Sequence, residues 1–224
     1  MASHLAGRID HTALKATTTS AEIARLCEEA IQYRFKAVCV PPYFVKLAAG
    51  NLAGSGIAVA TVIGFPMGYS TTGVKVWEAG QAIQDGATEI DAVHNIAALR
   101  SSDWGTLEAE IRELNNVSHD GGALLKVILE TGLLTDEEIV RCCKRYAALG
   151  VDFLKTSTGF SETGATTHAV SLMRANLPSS VRIKAAGGIR SFDVAQAMVE
   201  AGADRIGCSA SIAIMAEADA ATQN

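Results

Sequence analysis

Aromatic residues are scarce in this chain: they make up 5% of its 224 residues, whereas hydrophobic residues as a whole make up 49%. With so few rings, small side chains must fill much of the interior, and glycine alone occupies 20 positions. Small side chains suit helices packed closely on a β-sheet better than an all-β sandwich. The length allows one large domain with a substantial core. We therefore predict a globular α/β protein.

Long apolar runs and basic stretches are also missing, and each absence removes a class of function. No run reaches the ~18 apolar residues that a membrane span needs. Residues 1–5 lack the basic-then-apolar layout of a secretory signal. The net charge is -5 and no segment is rich in lysine or arginine, so nothing indicates nucleic-acid binding. We expect a soluble, cytoplasmic protein without membrane or nucleic-acid partners.

The five cysteines offer neither a disulfide framework nor a thiolate metal site. Their number is odd, Cys142 and Cys143 are adjacent, and no two are separated by two residues. Such a pattern favours free, buried thiols in a reducing compartment.

Short β-rich apolar runs alternate with helical patterns along the whole chain. Thr19 and its neighbours are typical caps for a helix over 21–33, residues 135–138 open a second helix, and a third spans 193–201 before Gly202. The predicted strands lie at 7–12, 36–40, 57–65, 89–95, 124–131, 152–157, 182–186 and 205–209.

The joints between these elements repeat. Gly86, Gly150 and Gly202 each end a helical pattern two or three residues before a strand, which indicates one recurring unit. Eight strands, each followed by a helix, predict a single (β/α)₈ TIM barrel over residues 1–224, with a short polar tail from about residue 217. A doubly wound sheet is the alternative, because alternation alone does not separate closed from open sheets. The glycine-rich fingerprint of a dinucleotide fold is absent.

Four consecutive strands of the predicted barrel contain an ionisable residue where a packed interior prefers Val or Ile. They are Asp91, Lys126, Lys155 and Lys184. A single lysine would be read as an edge residue, but a closed barrel has no edge strand. The set therefore indicates a functional site at the carboxyl ends of the strands.

Clustered lysines have a specific chemical use. An ordinary ammonium with a pKa of about 10.4 is almost never neutral at pH 7, and only the neutral amine attacks a carbonyl. A neighbouring cation and partial desolvation disfavour the charged form. The pattern predicts a Schiff-base enzyme in which a carboxylate such as Asp91 moves protons.

Glycines and hydroxyls follow the last three strands, at residues 156–159, 187–188 and 209–211. Loops that lead into helix N-termini at this end of a barrel offer backbone N–H groups to a phosphate. Because the whole chain is acidic, such an anion must be captured locally. We predict a small phosphorylated ligand.

At these residues the sequence resembles the deoxyribose-phosphate aldolase family. The resemblance implies a class I aldolase on a (β/α)₈ barrel without metal or cofactor, cleaving 2-deoxyribose 5-phosphate reversibly to glyceraldehyde 3-phosphate and acetaldehyde. It also implies a homo-oligomer, a dimer or a tetramer. The matching segments are residues 9–12, 38–42, 62–66, 75–78, 86–91, 126–131, 155–160, 184–189 and 205–207.

The resemblance assigns a role to each matching residue. Lys155 would form the imine, Lys184 would lower its pKa, and Asp91 would assist proton transfer. Residues that would support this site are Asp10, Thr12, Lys126 and Cys39. Residues that would bind the phosphate are Gly159, Gly187, Gly188 and Ser209.

Ala210 and His94 are among the positions that depart from the family pattern. Ala210 stands where members commonly have a second serine after Ser209, so it offers only its backbone N–H. His94 replaces a usually apolar residue, and we interpret it as a histidine at the barrel mouth, with a perturbing role near Asp91 as the alternative.

Other functions stay open at the level of sequence. They are an aldolase of the same mechanism with an altered substrate preference, and a non-catalytic sugar-phosphate-binding barrel. A metal-dependent aldolase or isomerase is a further alternative, but the histidines that would ligate the metal are scattered at positions 4, 11, 94, 119 and 168. The complete set of Asp91, Lys155 and Lys184 favours the Schiff-base aldolase.

Overall fold

Eight parallel strands close into a barrel in the computed structural model, which describes residues 5–222. Each strand pairs with the next one along the chain, and the last closes on the first through Asp10 and Gly207. The predicted (β/α)₈ barrel is confirmed, and the open doubly wound sheet is wrong. The strands are β1 (Ile9–Thr12), β2 (Ala37–Val40), β3 (Ala58–Ile63), β4 (Glu89–Val93), β5 (Leu124–Ile128), β6 (Phe153–Lys155), β7 (Arg182–Ala186) and β8 (Arg205–Cys208).

Helices follow the strands and form the outer layer. His4 and the last two residues of the chain lie outside the described residues. The helices are α1 (Ser20–Tyr33), α2 (Val45–Asn51), α3 (Thr72–Gln84), α4 (Ile96–Arg100), α5 (Trp104–Asp120), α6 (Asp136–Ala147), α7 (Thr167–Asn176), α8 (Phe192–Glu200) and α9 (Ser211–Thr222). Within residues 5–222, no helix is long and apolar enough to cross a membrane.

Side-chain caps set the helix starts where the sequence indicates them. Thr19 accepts from the backbone N–H of Glu22, whose carboxylate accepts from the N–H of Thr19, and Thr135 and Glu138 form the same reciprocal pair. Ser191 caps α8, which begins one residue earlier than predicted.

The segment from residue 217, which was predicted as a polar tail, continues α9 to Thr222. Ala218 is fully buried there. Glu217 accepts a 2.7 Å hydrogen bond from the backbone N–H of Phe192 and thereby also satisfies the first turn of α8.

Because side chains alternate along each strand, the barrel has two buried regions, one between the strands and the helices and one inside the barrel. Side chains that point outward, such as Ile9, Val38 and Ile90, pack against the helices in one large apolar core. The apolar residues that point inward include Cys39, Ala60 and Val62, which form a separate cluster, and Phe153, whose ring lies 6.0 Å from Nζ of Lys126. The rest of the barrel interior is therefore available to polar side chains.

A buried ion pair fixes the chain just after β4. Lys75 on α3 donates to Glu110 on α5 at 2.9 Å and to the backbone carbonyl of Val93 at 2.8 Å. Glu110 also accepts from the backbone N–H of Asn95 at 3.1 Å. Both side chains are fully buried, so the pair ties two helices to the strand that carries Asp91.

Candidate active site

One connected network of buried, ionisable side chains fills the inside of the barrel. Asp91 lies at its centre: its Oδ1 accepts from Lys126 at 2.6 Å, and its Oδ2 accepts from Lys155 at 2.9 Å and from Lys184 at 2.7 Å. The members of the network among residues 5–222 are Asp10, Glu89, Asp91, Lys126, Lys155, Lys184 and Arg205.

Six of these side chains form a closed ring of alternating charge. Each of its three carboxylates bridges two of its three cations, with Glu89 2.7 Å from Lys126 and 2.9 Å from Arg205, and Asp10 2.5 Å from both Arg205 and Lys184. We call this set the charge ring. In order around it are Asp91, Lys126, Glu89, Arg205, Asp10 and Lys184.

The charge ring holds its members in their ionised forms. Burial alone would raise the pKa of Asp10, but Lys184, Arg205 and Lys126 outweigh it and lower that pKa to about 2. Asp91 is likewise held well below its ordinary pKa, against the effect of burial, by the three lysines around it. Burial acts to lower the pKa of Lys184, yet Asp10 and Asp91 raise it above the usual lysine value.

Lys155 stands apart from the charge ring. Its ammonium group contacts a single carboxylate, that of Asp91, whereas each cation of the ring contacts two. Because the ring contains three positive and three negative groups, a protonated Lys155 is a surplus charge in a buried region. A buried charge is costly unless it is paired, and Lys155 has fewer carboxylate partners than the lysines of the ring.

A cavity of about 390 Å³ opens above Lys155 at the carboxyl ends of the strands. Of the charge ring, Lys184 also reaches its wall. The volume lies in the range of small-molecule sites. Further lining residues come from the loops after β1, β6, β7 and β8 and from α1.

Glycine backbones shape one wall of the cavity. Gly159 and Gly187 have positive φ angles, +88° and +91°, which side-chain-bearing residues rarely adopt. A Cβ on Gly187 would lie 3.1 Å from the Cα of Gly164 and 3.3 Å from that of Gly159. The loops after β6 and β7 therefore meet backbone to backbone, next to the N-terminus of α8.

The structure divides the residues predicted from sequence into two groups. The first group lines the cavity: Thr12, Lys155, Gly159, Lys184, Gly187, Gly188 and Ser209. The second is buried and absent from the lining: Asp10, Cys39, Asp91 and Lys126.

Two supporting residues have defined contacts. The hydroxyl of Thr12 donates to the backbone carbonyl of Asp10 at 2.8 Å. Burial raises the pKa of the Cys39 thiol, with Lys184 acting in the opposite direction, so this cysteine is a protonated, packed neighbour of the charge ring. Within residues 5–222, no group of three or more His, Cys, Asp or Glu side chains is arranged to hold a metal ion.

The placement of His94 at the barrel mouth is wrong. Its ring is fully buried, with Nδ1 3.0 Å from the hydroxyl of Tyr146 on α6. Burial lowers its pKa to about 3, with Lys75 acting in the same direction. Since residues 91 and 94 differ by an odd number, alternation turns their side chains to opposite faces of the strand, and His94 packs in the helix layer.

Sequence reasoning missed two members of the charge ring, Glu89 and Arg205. Glu89 lies two residues before Asp91 and so faces the same interior, and Arg205 lies two before Gly207. The period of two along each strand was the signal that could have found both. It also missed His11 and Glu29, which line the cavity beside β1.

Comparison with known proteins agrees with this geometry. A model of the DeoC/LacD family of aldolases matches residues 5–216. A protein from Bacillus cereus (strain AH820) named deoxyribose-phosphate aldolase is 50% identical over 222 residues, which cover 99% of both chains. A solved structure from Coccidioides immitis superposes with a TM-score of 0.93 at 41% identity, covering 98% of this chain and 87% of the other. A deoxyribose phosphate aldolase from Aeropyrum pernix, described as tetrameric, has a TM-score of 0.92 at 31% identity, covering 99% and 93%.

Removal of one carboxylate from the charge ring should change the response to acid. Asp10 has a lowered pKa in the folded state, so it stabilises the fold above its ordinary pKa of 3.8 and this stabilisation is lost as the pH falls toward 2. Urea unfolding between pH 6 and 2.5 should show that Asp10→Asn is less stable at pH 6. Between pH 6 and 2.5, the free energy of unfolding should fall by about 2 kcal/mol more for the wild type than for this variant.

An exposed carboxylate provides the matched control. Asp120→Asn, at the end of α5, should follow the wild-type curve. Parallel curves for the wild type and Asp10→Asn would show that Asp10 is not held ionised by the ring.

Proposed function

The chain belongs to the DeoC/LacD family of aldolases, and we propose that it cleaves 2-deoxyribose 5-phosphate reversibly to glyceraldehyde 3-phosphate and acetaldehyde. The family makes it an enzyme, an aldehyde-lyase. One observation carries the proposal for the mechanism: Lys155 is a buried lysine that lies outside the charge ring and faces the cavity. No metal or cofactor is needed for the chemistry described below.

We assign imine formation to Lys155 on the basis of its charge environment. Lys126 and Lys184 each contact two carboxylates, which favour their ammonium forms. Lys126 is also absent from the cavity wall. Lys155 shares its single carboxylate with Lys184, whose nitrogen lies within about 6 Å because both contact the same oxygen. The ammonium of Lys184 therefore disfavours a second positive charge at Lys155.

The reaction follows from a neutral amine at Lys155. Its nitrogen attacks the aldehyde carbon C1 of the open-chain sugar, and loss of water gives an iminium ion. Breakage of the C2–C3 bond passes the bonding electrons to the iminium nitrogen, and the C3 hydroxyl loses its proton to release glyceraldehyde 3-phosphate. The remaining enamine takes a proton at C2, and water then hydrolyses the imine to acetaldehyde and free Lys155.

Asp91 lies close enough to Lys155 to take part in these proton transfers. Its Oδ2 lies 2.9 Å from the nitrogen that becomes the iminium. Since Asp91 is fully buried and absent from the cavity wall, we propose that it acts through a water molecule or through the Lys155 nitrogen. Lys126 and Asp10 hold the ring in place around it, and Thr12 and Cys39 complete the packing at its edge.

The phosphate is assigned to the glycine wall of the cavity. Gly187 and Gly188 lie five and four residues before the first residue of α8, and Ser209 lies two residues before the first residue of α9. Helix N-termini present free N–H groups and favour anions. Gly159 completes this wall from the loop after β6. Ala210 adds no hydroxyl, so we assign recognition at this point to backbone donors.

We also propose that the chain assembles with copies of itself. Trp77 and Val74 on α3 are 70% and 56% exposed, and Tyr69 and Met67 beside them line the same shallow cleft. An exposed apolar patch of this kind is typical of an interface. The relative from Aeropyrum pernix is described as tetrameric. All five cysteines are buried and unpaired, which agrees with work in the reducing cytoplasm.

Reductive trapping tests the assignment of Lys155. Borohydride added in the presence of acetaldehyde should attach an ethyl group to the peptide that contains residue 155, as read by mass spectrometry. Lys155→Met should lose the adduct and lower kcat at least about 1,000-fold, yet remain folded, because its removal leaves the charge ring intact.

Lys144→Met, on the outer helix α6, is the control and should keep both the adduct and the activity. An adduct on another lysine, or turnover that survives in Lys155→Met, would refute the mechanism.

The glycine wall predicts a dependence on the substrate's phosphate. Gly187→Ala should raise KM for deoxyribose 5-phosphate about tenfold or more, because a Cβ would push apart the loops after β6 and β7. Rates with unphosphorylated deoxyribose should change little. Gly50→Ala, where a Cβ meets nothing within 4 Å, should leave both substrates unaffected. Equal losses with both sugars would argue against phosphate binding at this wall.

Light scattering tests the proposed assembly. The wild type should have a mass that is a multiple of 23.4 kDa, and Trp77→Glu should shift it toward the monomer because the charge cannot be buried in an apolar contact. Ile31→Glu places the same charge on another exposed apolar residue and should not change the mass. A monomeric wild type would contradict the proposal.

A further inference from the structure

His11 joins the cavity wall to the N-terminus of α9. The residue is on β1, and its ring is 4% exposed. Its Nε2 lies 2.7 Å from Oε2 of Glu29 on α1, and its Nδ1 lies 2.9 Å from the hydroxyl oxygen of Ser211. Ser211 is the first residue of α9 and is itself fully buried. The three side chains form a hydrogen-bonded row that the proposed reaction does not use.

The contacts determine which protons the row can carry. A carboxylate only accepts, so the proton between His11 and Glu29 belongs to Nε2. If His11 is neutral, its Nδ1 is then an acceptor and the hydroxyl of Ser211 must donate to it. If His11 is protonated, Nδ1 donates instead and the hydroxyl proton of Ser211 is free for another acceptor.

The structure provides that other acceptor. The hydroxyl oxygen of Ser211 also lies 3.1 Å from the backbone carbonyl of Cys208. A hydroxyl has one proton, so Ser211 donates either to His11 or to Cys208. All of these contacts are satisfied together only when His11 is protonated. The protonation state of His11 therefore determines whether the hydroxyl of Ser211 donates to His11 or to the carbonyl of Cys208.

The carbonyl of Cys208 belongs to the same peptide unit as the N–H of Ser209. A hydrogen bond accepted by a peptide carbonyl polarises the unit and strengthens its N–H as a donor. Ser209 lines the cavity at the wall assigned to the phosphate. Protonation of His11 thus acts through the hydrogen bonds of Ser211 on a backbone donor of the proposed anion site. It also places a positive charge next to the cavity.

We propose that His11 is a positioning residue of the anion site, which couples anion affinity to pH through Ser211 and the Cys208–Ser209 peptide. This inference rests on the proposed phosphate site, and it assigns to that site a regulation by protons. It predicts that anions bind more tightly when His11 is protonated, and by linkage that a bound anion favours the protonated form.

The groups around His11 set the pH range of this effect. Burial lowers the pKa of His11 from 6.5, and the hydrogen bond and charge of Glu29 act in the opposite direction. Arg25 on the same helix lies 3.8 Å from Glu29. On β8, burial raises the pKa of Cys208 to about 11, so its thiol stays protonated across this range.

Four further cations and one carboxylate share the cavity wall: Lys15, Lys155, Lys184, Arg190 and Glu22. His11→Gln leaves all of them in place. The difference in pH dependence between the wild type and this variant therefore measures the part of the affinity that belongs to His11.

Sulfate is the probe that isolates this effect, because its charge is constant between pH 5 and 8. Calorimetry on the whole protein should show that sulfate affinity rises about tenfold from pH 8 to pH 5. His11→Gln should remove most of this dependence, and Ser211→Ala should reduce it at least by half, because the relay is lost while His11 still titrates. His119→Gln, on the exposed end of α5, should behave as the wild type.

The same dependence in His11→Gln as in the wild type would overturn the proposal, and an unchanged dependence in Ser211→Ala would overturn the relay. If a variant does not fold, the His11 resonances of the wild type answer the question: sulfate should raise the pKa of His11, and an unmoved pKa refutes the coupling.

Kinetics separate this inference from the proposed function. At pH 6, His11→Gln should raise KM for the phosphorylated sugar while kcat stays within about twofold, and KM for the unphosphorylated sugar should not change. A wild type that binds sulfate with the expected pH dependence but does not cleave the sugar would refute the proposed function and support the role of His11. Cleavage of the sugar together with a pH-independent sulfate affinity would support the proposed function and refute the role of His11.

Discussion

The charge ring inside the barrel is the interaction on which the rest of the site depends. Three carboxylates and three cations alternate around it, so each charge of the ring has at least two partners of opposite sign. Buried charges are tolerated only when they are paired and hydrogen-bonded. The small inward residues Cys39 and Ala60 leave the room that these long side chains need. Lys155 lies outside this neutral ring and contacts one of its carboxylates, that of Asp91.

Side chains of the outer helix layer support the charge ring. Lys75 and Glu110 hold the carbonyl and N–H groups that follow β4, and so fix the strand that presents Asp91. On the opposite side, Glu217 on α9 satisfies the first turn of α8. Both helices begin at the glycine wall, so their packing also sets the geometry of the proposed anion site. The proposed catalytic interior and the proposed anion site thus depend on different layers of the same barrel.

The sequence predicted the fold and the centre of the site, but not the whole network. Alternating strand and helix patterns, with three lysines and Asp91 on neighbouring strands, pointed to a barrel with a functional interior, and the structure brings those residues within hydrogen-bond distance. Glu89 and Arg205 were missed because a charge near a strand end is usually read as a solvent-facing residue. The period of two places Glu89 on the same face of its strand as Asp91, and closure of the barrel turns that face inward. His94 was misplaced because its distance along the chain from Asp91 was weighed without the alternation of side chains.

Charge balance also connects the state of Lys155 with the direction of the proposed chemistry. The iminium that we assign to Lys155 returns a positive charge to a region whose ring is already neutral. Cleavage of the C2–C3 bond converts this cation into a neutral enamine, which removes the surplus charge again. An environment that stabilises the cation less makes it a stronger acceptor of electrons, provided that it still forms. Asp91 lies 2.9 Å from the nitrogen and is shared between Lys155, Lys126 and Lys184. We therefore propose that the neutral ring favours the bond-breaking step.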